Sequence, residues 1–118
     1  MSGGNWKDMY QAAENGDLEL VRYHLIEGVD PNYQHPEIMF TALFSSIRNG
    51  HADVASLLIE RGADPCFKVD FKNMNAWQTA KYYQRHDMSS ILGEEPKTTL
   101  GSNFFKILQK PFKNLFYY

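Results

Sequence analysis

The stretch that decides the fold runs from Gly50 to Pro65 and reads GHADVASLLIERGADP. The same pattern stands 34 residues earlier, between Gly16 and Pro31, as GDLELVRYHLIEGVDP. Self-similarity at a fixed period is the sequence signature of a repeat architecture. We therefore predict a repeating unit of about 34 residues.

The same offset extends the repeat in both directions. Shifted by the repeat offset, residues 75–80 (NAWQTA) align with residues 41–46 (TALFSS). Residues 7–13 (KDMYQAA), shifted by the same distance in the opposite direction, align with that segment as well. The last copy runs out near Leu92. The unit is therefore present about three times.

Within each unit the apolar residues follow the i, i+3, i+4 spacing of an amphipathic helix. The spacing is carried by Leu20, Tyr23 and His24, by Val54, Leu57 and Leu58, and, in a preceding helix, by Met9, Ala12, Ala13, Leu43, Ser46 and Ile47. Gly16 and Gly50 stand where the first helix must end, a position that favours a left-handed backbone. Each unit is thus predicted to be two antiparallel helices.

A projecting loop is predicted after each second helix. Gly28 and Gly62 end these helices, and Pro31 and Pro65 then exclude helix and bias the preceding aspartates toward extended geometry. Two hairpin loops should therefore separate the three helix pairs.

The pattern from Thr41 to Pro65 resembles the ankyrin repeat, and the resemblance covers roughly residues 5–92. Ala42 and Phe44 replace the proline and histidine usual in that family, and Gln84 replaces the glycine between the helices of the third pair. The resemblance implies an all-α solenoid of about three helix pairs with hairpin loops. We expect a repeat domain at 1–93, a linker at 94–102 and a C-terminal segment at 103–118.

The end of the stack should present a polar face to water, because terminal repeats act as caps. Residues suited to that role cluster in the third copy, namely Lys81, Gln84, Arg85, His86 and Asp87.

Composition indicates a folded chain with no basic surface across the repeats. Of 118 residues, 43% are apolar and 22% charged, and these are ordinary values for a globular domain. The net charge is −2, but residues 97–118 hold four lysines and no acid, which leaves −6 on residues 1–96. An acidic body argues against nucleic acid as a partner.

The single cysteine, Cys66, excludes an intramolecular disulfide and suits a reducing cytoplasm. The N-terminal residues lack the basic start and apolar run of a secretory signal. No stretch approaches the roughly 20 apolar residues of a membrane span. We therefore expect a cytoplasmic protein.

Catalytic and metal-binding patterns are missing from the sequence. The histidines, at positions 24, 35, 51 and 86, show no paired spacing for a metal on one helix face. We interpret His51 as the structural histidine of the ankyrin Gly-His pair, and His24 as a packed, hydrogen-bonded core residue. No nucleophile motif or phosphate-binding glycine loop is present, so we predict neither an enzyme nor a cofactor.

The ankyrin resemblance implies that the first helices and the hairpin loops form a concave binding face. The positions that correspond by register to the variable contact positions of the family, together with Tyr33 of the first hairpin loop, are predicted to contact a partner: Trp6, Glu14, Asn15, Tyr33, Glu37, Ile38, Phe40, Arg48, Phe71, Lys72, Met74, Tyr82 and Tyr83. Aromatic residues, Met and Arg are enriched at interface cores. Residues 33–40 are unusually apolar for a loop tip, which favours this loop as the first contact.

The segment 103–118 has an amphipathic, basic and aromatic pattern. At about 100° per residue, Lys106, Lys110 and Lys113 form one stripe. The opposite face carries Phe104, Ile107, Leu108, Phe112, Leu115 and Phe116. Three interpretations stay open: the segment covers the flank of the third repeat, anchors at an anionic membrane surface, or mediates self-association or docking on another protein.

The sequence therefore predicts a protein-binding module, an adaptor or an inhibitor of the immunity type, that presents its concave face to another protein. The alternative is a peripheral membrane-associated adaptor that residues 103–118 anchor.

Overall fold

The computed structural model describes residues 5–96, and the regular structure in that range is entirely helical. Three helix pairs follow one another. The first helices are α1 (Trp6–Asn15), α3 (Ala42–Arg48) and α5 (Ala76–Tyr82). The second helices are α2 (Leu18–Ile26), α4 (Ala52–Glu60) and, in the third pair, a 3-10 turn (His86–Met88) that leads into the short helix α6 (Ser89–Leu92). The predicted three helix pairs are confirmed, but the last second helix is reduced to about two turns.

The helices form two layers, because α3 packs between α1 and α5 while α4 packs between α2 and α6. The core lies between the layers and is centred on the middle pair, where Phe44, Leu43, Ile47 and Leu58 are fully buried. Apolar burial of this kind is the main term that stabilises a repeat stack, since no single pair can cover its own apolar face.

Polar residues determine where the first helices α3 and α5 begin. The Thr41 hydroxyl accepts from the Phe44 N–H at 3.4 Å at the start of α3. Asn75, which stands 34 residues later, caps α5 with its side chain, and Gln78 returns a bond to the Asn75 N–H in a capping box. Such caps satisfy the amides that a helix N-terminus leaves without an intrahelical partner.

The corner between the two helices of each pair needs a left-handed residue. Gly16 and Gly50 adopt φ of 80° and 78° there, as predicted. Gln84 takes the same position in the third pair with φ of 58°, so the structure keeps the corner and places the strain on a residue with a Cβ.

We predict that Gln84→Gly stabilises the protein by about 0.5–1 kcal/mol, because glycine adopts this backbone without the Cβ penalty. The free energy of unfolding from urea titration measures the gain. Gln11→Gly is the matched control: Gln11 is exposed within α1, where glycine should cost about 1 kcal/mol. A loss of stability in both variants would contradict the argument.

The residues whose spacing predicted α2 do form a helix, but only some of them are buried. Val21 and His24 are buried, but Leu20 and Tyr23 are 40% and 54% exposed. Their counterparts in α4, Val54 and Leu57, are buried. The difference arises because α4 packs against the preceding α2, whereas among residues 5–96 no helix pair precedes α2.

His24 is packed as predicted, but it is not fully hydrogen-bonded. Its Nδ1 has no hydrogen-bond partner within the described part of the chain. The corresponding residue of the second repeat is Leu58, which fills the same position with apolar atoms alone.

Neighbouring repeats are also joined by a hydrogen bond that recurs at the repeat offset of the sequence. His51 Nε2 donates to the Glu14 carbonyl oxygen at 2.9 Å. Arg85, 34 residues later, donates through Nε and Nη2 to the Arg48 carbonyl oxygen at 3.0 and 2.8 Å. Each bond satisfies a carbonyl at the end of the preceding first helix. The structural role predicted for His51 is confirmed, and Arg85 shares it instead of serving only as a polar cap.

Candidate functional site

The hairpin loops stand beside the first helices and are fixed to one another by polar contacts. Asn32 donates to the Gly62 carbonyl oxygen at 3.1 Å and accepts from the Asp64 N–H at 2.8 Å. Farther out, the Gln34 side-chain oxygen accepts from the Asp70 N–H at 2.9 Å. At the tips, the Phe71 N–H donates to the Met39 carbonyl oxygen. The loops thus form a continuous wall. The roles of Asn32 and Gln34 were not predicted from the sequence, because their partners lie in another repeat.

A row of aromatic rings lies between this wall and the end of α5. Phe40 and Phe71 lie 5.1 Å apart, Phe71 and Tyr82 6.3 Å, and Tyr82 and Tyr83 4.9 Å, measured between ring centroids. We call Phe40, Phe71, Tyr82 and Tyr83 the aromatic row. Tyr82 is 52% exposed, Phe71 and Tyr83 are half-buried, and Phe40 is buried.

Two cations lie over the rings of the aromatic row. The Arg48 guanidinium is 4.8 Å from the centroid of Phe40, and Lys72 Nζ is 5.5 and 5.6 Å from those of Phe71 and Tyr82. Cations at such distances are attracted to the ring face. Lys72 is exposed and has a left-handed backbone, with φ of 55°, so the loop holds its charge over the row in a strained conformation.

Arg48 also links the row to the first repeat. Its Nη2 donates to the Glu14 carboxylate at 2.9 Å across the α1–α3 contact. Neighbouring Tyr10 is half-buried, and burial raises the pKa of its phenol above the ordinary value, so the phenol is neutral near pH 7. Glu14, Arg48, Lys72 and the aromatic row therefore form one continuous inner surface.

A second group lies at the other end of the wall. The Trp6 ring stacks on His35 at 4.8 Å with an interplanar angle of 13° and lies 5.3 Å from Tyr33. His35 Nδ1 accepts from the Glu37 N–H at 3.1 Å, which shapes the loop tip. Of the apolar loop residues, Met39 is exposed and Ile38 is half-buried against the core. Trp6 therefore supports this loop while presenting only part of its ring.

Two of the residues predicted to contact a partner are buried. Phe40 and Met74 are each only 7% exposed. Phe40 is covered by Arg48 and Phe71, and the Met74 carbonyl oxygen accepts from the Val69 N–H in the second hairpin. Their positions in the repeat correctly predicted the loops in which they lie. The conformations of these loops, however, place both side chains in the interior. Both lie beneath the surface, whereas Asn15 and Glu37 are exposed.

Residues 5–96 lack two further kinds of functional feature. No group of three or more His, Cys, Asp or Glu residues is arranged to hold a metal ion in that range. None of its helices is both long and apolar enough to cross a membrane. The predictions for the linker beyond Pro96 and for residues 103–118 concern positions outside the described residues.

Comparison with known proteins gives the family. A family model described as ankyrin repeats matches residues 9–100 with three copies. An ankyrin repeat protein of Acanthamoeba polyphaga mimivirus is 35% identical over 74 residues, which is 63% of this chain and 44% of that protein. An ankyrin repeat and KH domain-containing protein of Caenorhabditis elegans is 29% identical over 89 residues, 75% of this chain and 3% of that protein.

A palmitoyltransferase of Lachancea kluyveri is 37% identical over 65 residues, 55% of this chain and 8% of the enzyme. The chain spans less than half the length of each of these relatives. Ankyrin repeats are generally protein–protein interaction modules, and most are not themselves enzymes. With three matched copies over most of its length, the chain belongs to the ankyrin repeat family.

Proposed function

We propose that this protein binds another protein through the inner surface formed by Glu14, Arg48, Lys72 and the aromatic row. It acts as an adaptor or an inhibitor, by holding its partner or by covering part of it, and its own residues perform no reaction. With one cysteine in the chain, we place it in the reducing cytoplasm.

The observation that carries the proposal is the exposed end of the aromatic row. Tyr82 is about half exposed, although the neighbouring Phe71 and Tyr83 rings and the Lys72 ammonium already surround it. Tyrosine buries a large area on binding at little entropic cost and is enriched among residues that dominate binding energy. The ring is held in place before any partner arrives, which reduces the cost of ordering it.

The charges at this surface add a requirement for the partner. Arg48 is neutralised by Glu14, whereas Lys72 lies over two rings with no carboxylate paired to it among the described residues. A partner that places an apolar side chain on Tyr82 and a carboxylate near Lys72 would satisfy both groups.

Affinity capture from a lysate of the source organism tests the proposal. The protein should retain a partner that the double variant Tyr82→Ala, Lys72→Ala loses, with Kd raised at least about thirtyfold, since truncating a central anchor costs about 2 kcal/mol or more. The double variant Glu60→Ala, Arg61→Ala is the control, because both residues are exposed at the end of α4 and lie outside both the inner surface and α2. Equal retention of every partner by the double variant would refute the assignment of this surface.

A further inference from the structure

The outward face of α2 is an apolar strip that the described fold does not cover. Leu20, Tyr23 and Ile26 are 40%, 54% and 64% exposed. At about 100° per residue, the three side chains lie within about 120° of one another on the helix surface. We call these three residues the α2 edge.

Two of the three positions are core positions in the other repeats. The counterparts of Leu20 at the repeat offset are Val54 and Met88, which are both fully buried. Tyr23 corresponds to Leu57, which is buried, and to Ile91, which packs partly against the core. The second and third repeats bury these positions against the repeat before them. The α2 edge therefore resembles a repeat–repeat contact surface whose neighbouring repeat is absent from residues 5–96.

Ile26 does not follow this rule and extends the strip. Its counterparts are Glu60 and Glu94, and both are exposed. At a position where the other repeats carry a solvated carboxylate, the first repeat carries its most exposed large apolar side chain. The repeat pattern explains Leu20 and Tyr23 but not Ile26, and exposed apolar strips of this kind mark interaction sites.

The hydrogen bonds at the start of α2 do not require a further helix pair beside the α2 edge. Asp17 stands at the repeat position of His51 and Arg85, whose side chains reach back to the preceding repeat. The Asp17 carboxylate instead accepts from the Leu20 N–H of its own helix at 3.2 Å. A ligand of the α2 edge would therefore have to cover its apolar side chains and neutralise the charge around them.

The charge around the α2 edge is acidic. Exposed carboxylates surround it at Asp17, Glu19, Glu27 and Asp30. Arg22 is the cation in this stretch, and it lies 3.5 Å from Glu19, so residues 17–30 carry a net charge of −3. A complementary ligand is a basic amphipathic segment.

The chain itself contains such a segment. Residues 103–118 hold three lysines, no acid and a set of aromatic and aliphatic residues that share one face by sequence pattern. A cleft of about 340 Å³ at the other end of the stack, between α5 and α6, offers apolar cover from Trp77 and Leu92. However, its charged lining consists of Lys81 and Arg85, which repel a basic segment.

We propose that residues 103–118 of the same molecule bind to the α2 edge. Lysines of the segment pair with the carboxylates around the helix, and its apolar face covers Leu20, Tyr23 and Ile26. The proposal uses α2 and not the inner surface, so either can fail without the other.

Site-specific photo-cross-linking on the full chain tests the proposal. Tyr23 is replaced by the photoreactive amino acid p-benzoylphenylalanine, and the cross-linked peptides are identified by mass spectrometry. The expected product joins position 23 to residues within 103–118 and migrates as a single copy on a denaturing gel, whereas a product of two copies would overturn the intramolecular contact. The same replacement at Tyr82, which is equally exposed, is the control.

Two variants probe the chemistry of the contact. Ile26→Glu installs the residue that the other repeats carry at this position, so it leaves the fold intact and should lower the cross-link yield about tenfold. Lys106→Glu, Lys110→Glu and Lys113→Glu together should lower it at least as much. The proposal is overturned if Tyr23 does not react with residues 103–118, if Tyr82 reacts with them equally, or if Ile26→Glu leaves the yield unchanged.

Discussion

Gly16→Ala is expected to lower the free energy of unfolding by about 2–3 kcal/mol. A left-handed backbone costs a residue with a Cβ about 1–2 kcal/mol. In addition, the new Cβ would lie 2.7 Å from Nδ1 and 2.8 Å from Cε1 of His51, so the imidazole ring must move. Moving it breaks the bond from Nε2 to the Glu14 carbonyl oxygen, which adds about 1 kcal/mol. Urea titration followed by far-ultraviolet circular dichroism measures the loss.

Gly28→Ala separates the two contributions to this loss. Gly28 also has a left-handed backbone, with φ of 101°, but nothing lies within 4 Å of an added Cβ. This variant should lose only the backbone term of about 1–2 kcal/mol. If both glycine variants lose the same free energy, the contact between the first corner and His51 does not contribute to stability.

Phe40→Ala should be the most destabilising change within the aromatic row, at about 3 kcal/mol or more, since removing a buried phenylalanine leaves a cavity. Phe40 is 7% exposed, and both Arg48 and Phe71 rest on its ring. Its removal should disturb the inner surface from below. Thermal and urea unfolding of the variant check the size of the effect.

Tyr82→Ala is the companion to Phe40→Ala, because it shortens the exposed end of the same row. With half of the tyrosine side chain in water, the stability loss should stay below about 1 kcal/mol. Loss of partner binding in this variant would therefore report on contact and not on unfolding. Equal destabilisation by the two substitutions would show that Tyr82 belongs to the core and would remove it from the proposed surface.

The fold could be predicted from the sequence wherever local chemistry repeats with the period. Gly16 and Gly50 form the corners between the two helices of a pair, and Thr41 and Asn75 begin the first helices α3 and α5. The backbone at the same repeat position therefore has an equivalent place in the fold. Each of these features depends on a few neighbouring residues. For that reason the predicted helix pairs were confirmed even where Gln84 departs from the family pattern.

The exposure of individual side chains could not be predicted in the same way. A periodic pattern assigns Leu20 and Val54 to one position, but burial depends on whether another repeat lies alongside, and the two residues differ in that respect. Phe40 and Met74 were placed in the correct loops, yet contacts within and between the loops accompany the burial of both side chains. The role of Arg85 was visible only in the 34-residue offset from His51, since the two side chains have no chemistry in common beyond nitrogen donors.

The backward reach of His51 and Arg85 also gives the stack an order of assembly. The donor always lies in the later repeat, and the acceptor carbonyl lies in the earlier one. On the ribosome, the end of α1 therefore lacks its last hydrogen bond until the second corner has emerged, and the end of α3 waits in turn for Arg85. Synthesis from the N-terminus thus supplies the Glu14 and Arg48 carbonyls with these partners only when the next repeat arrives.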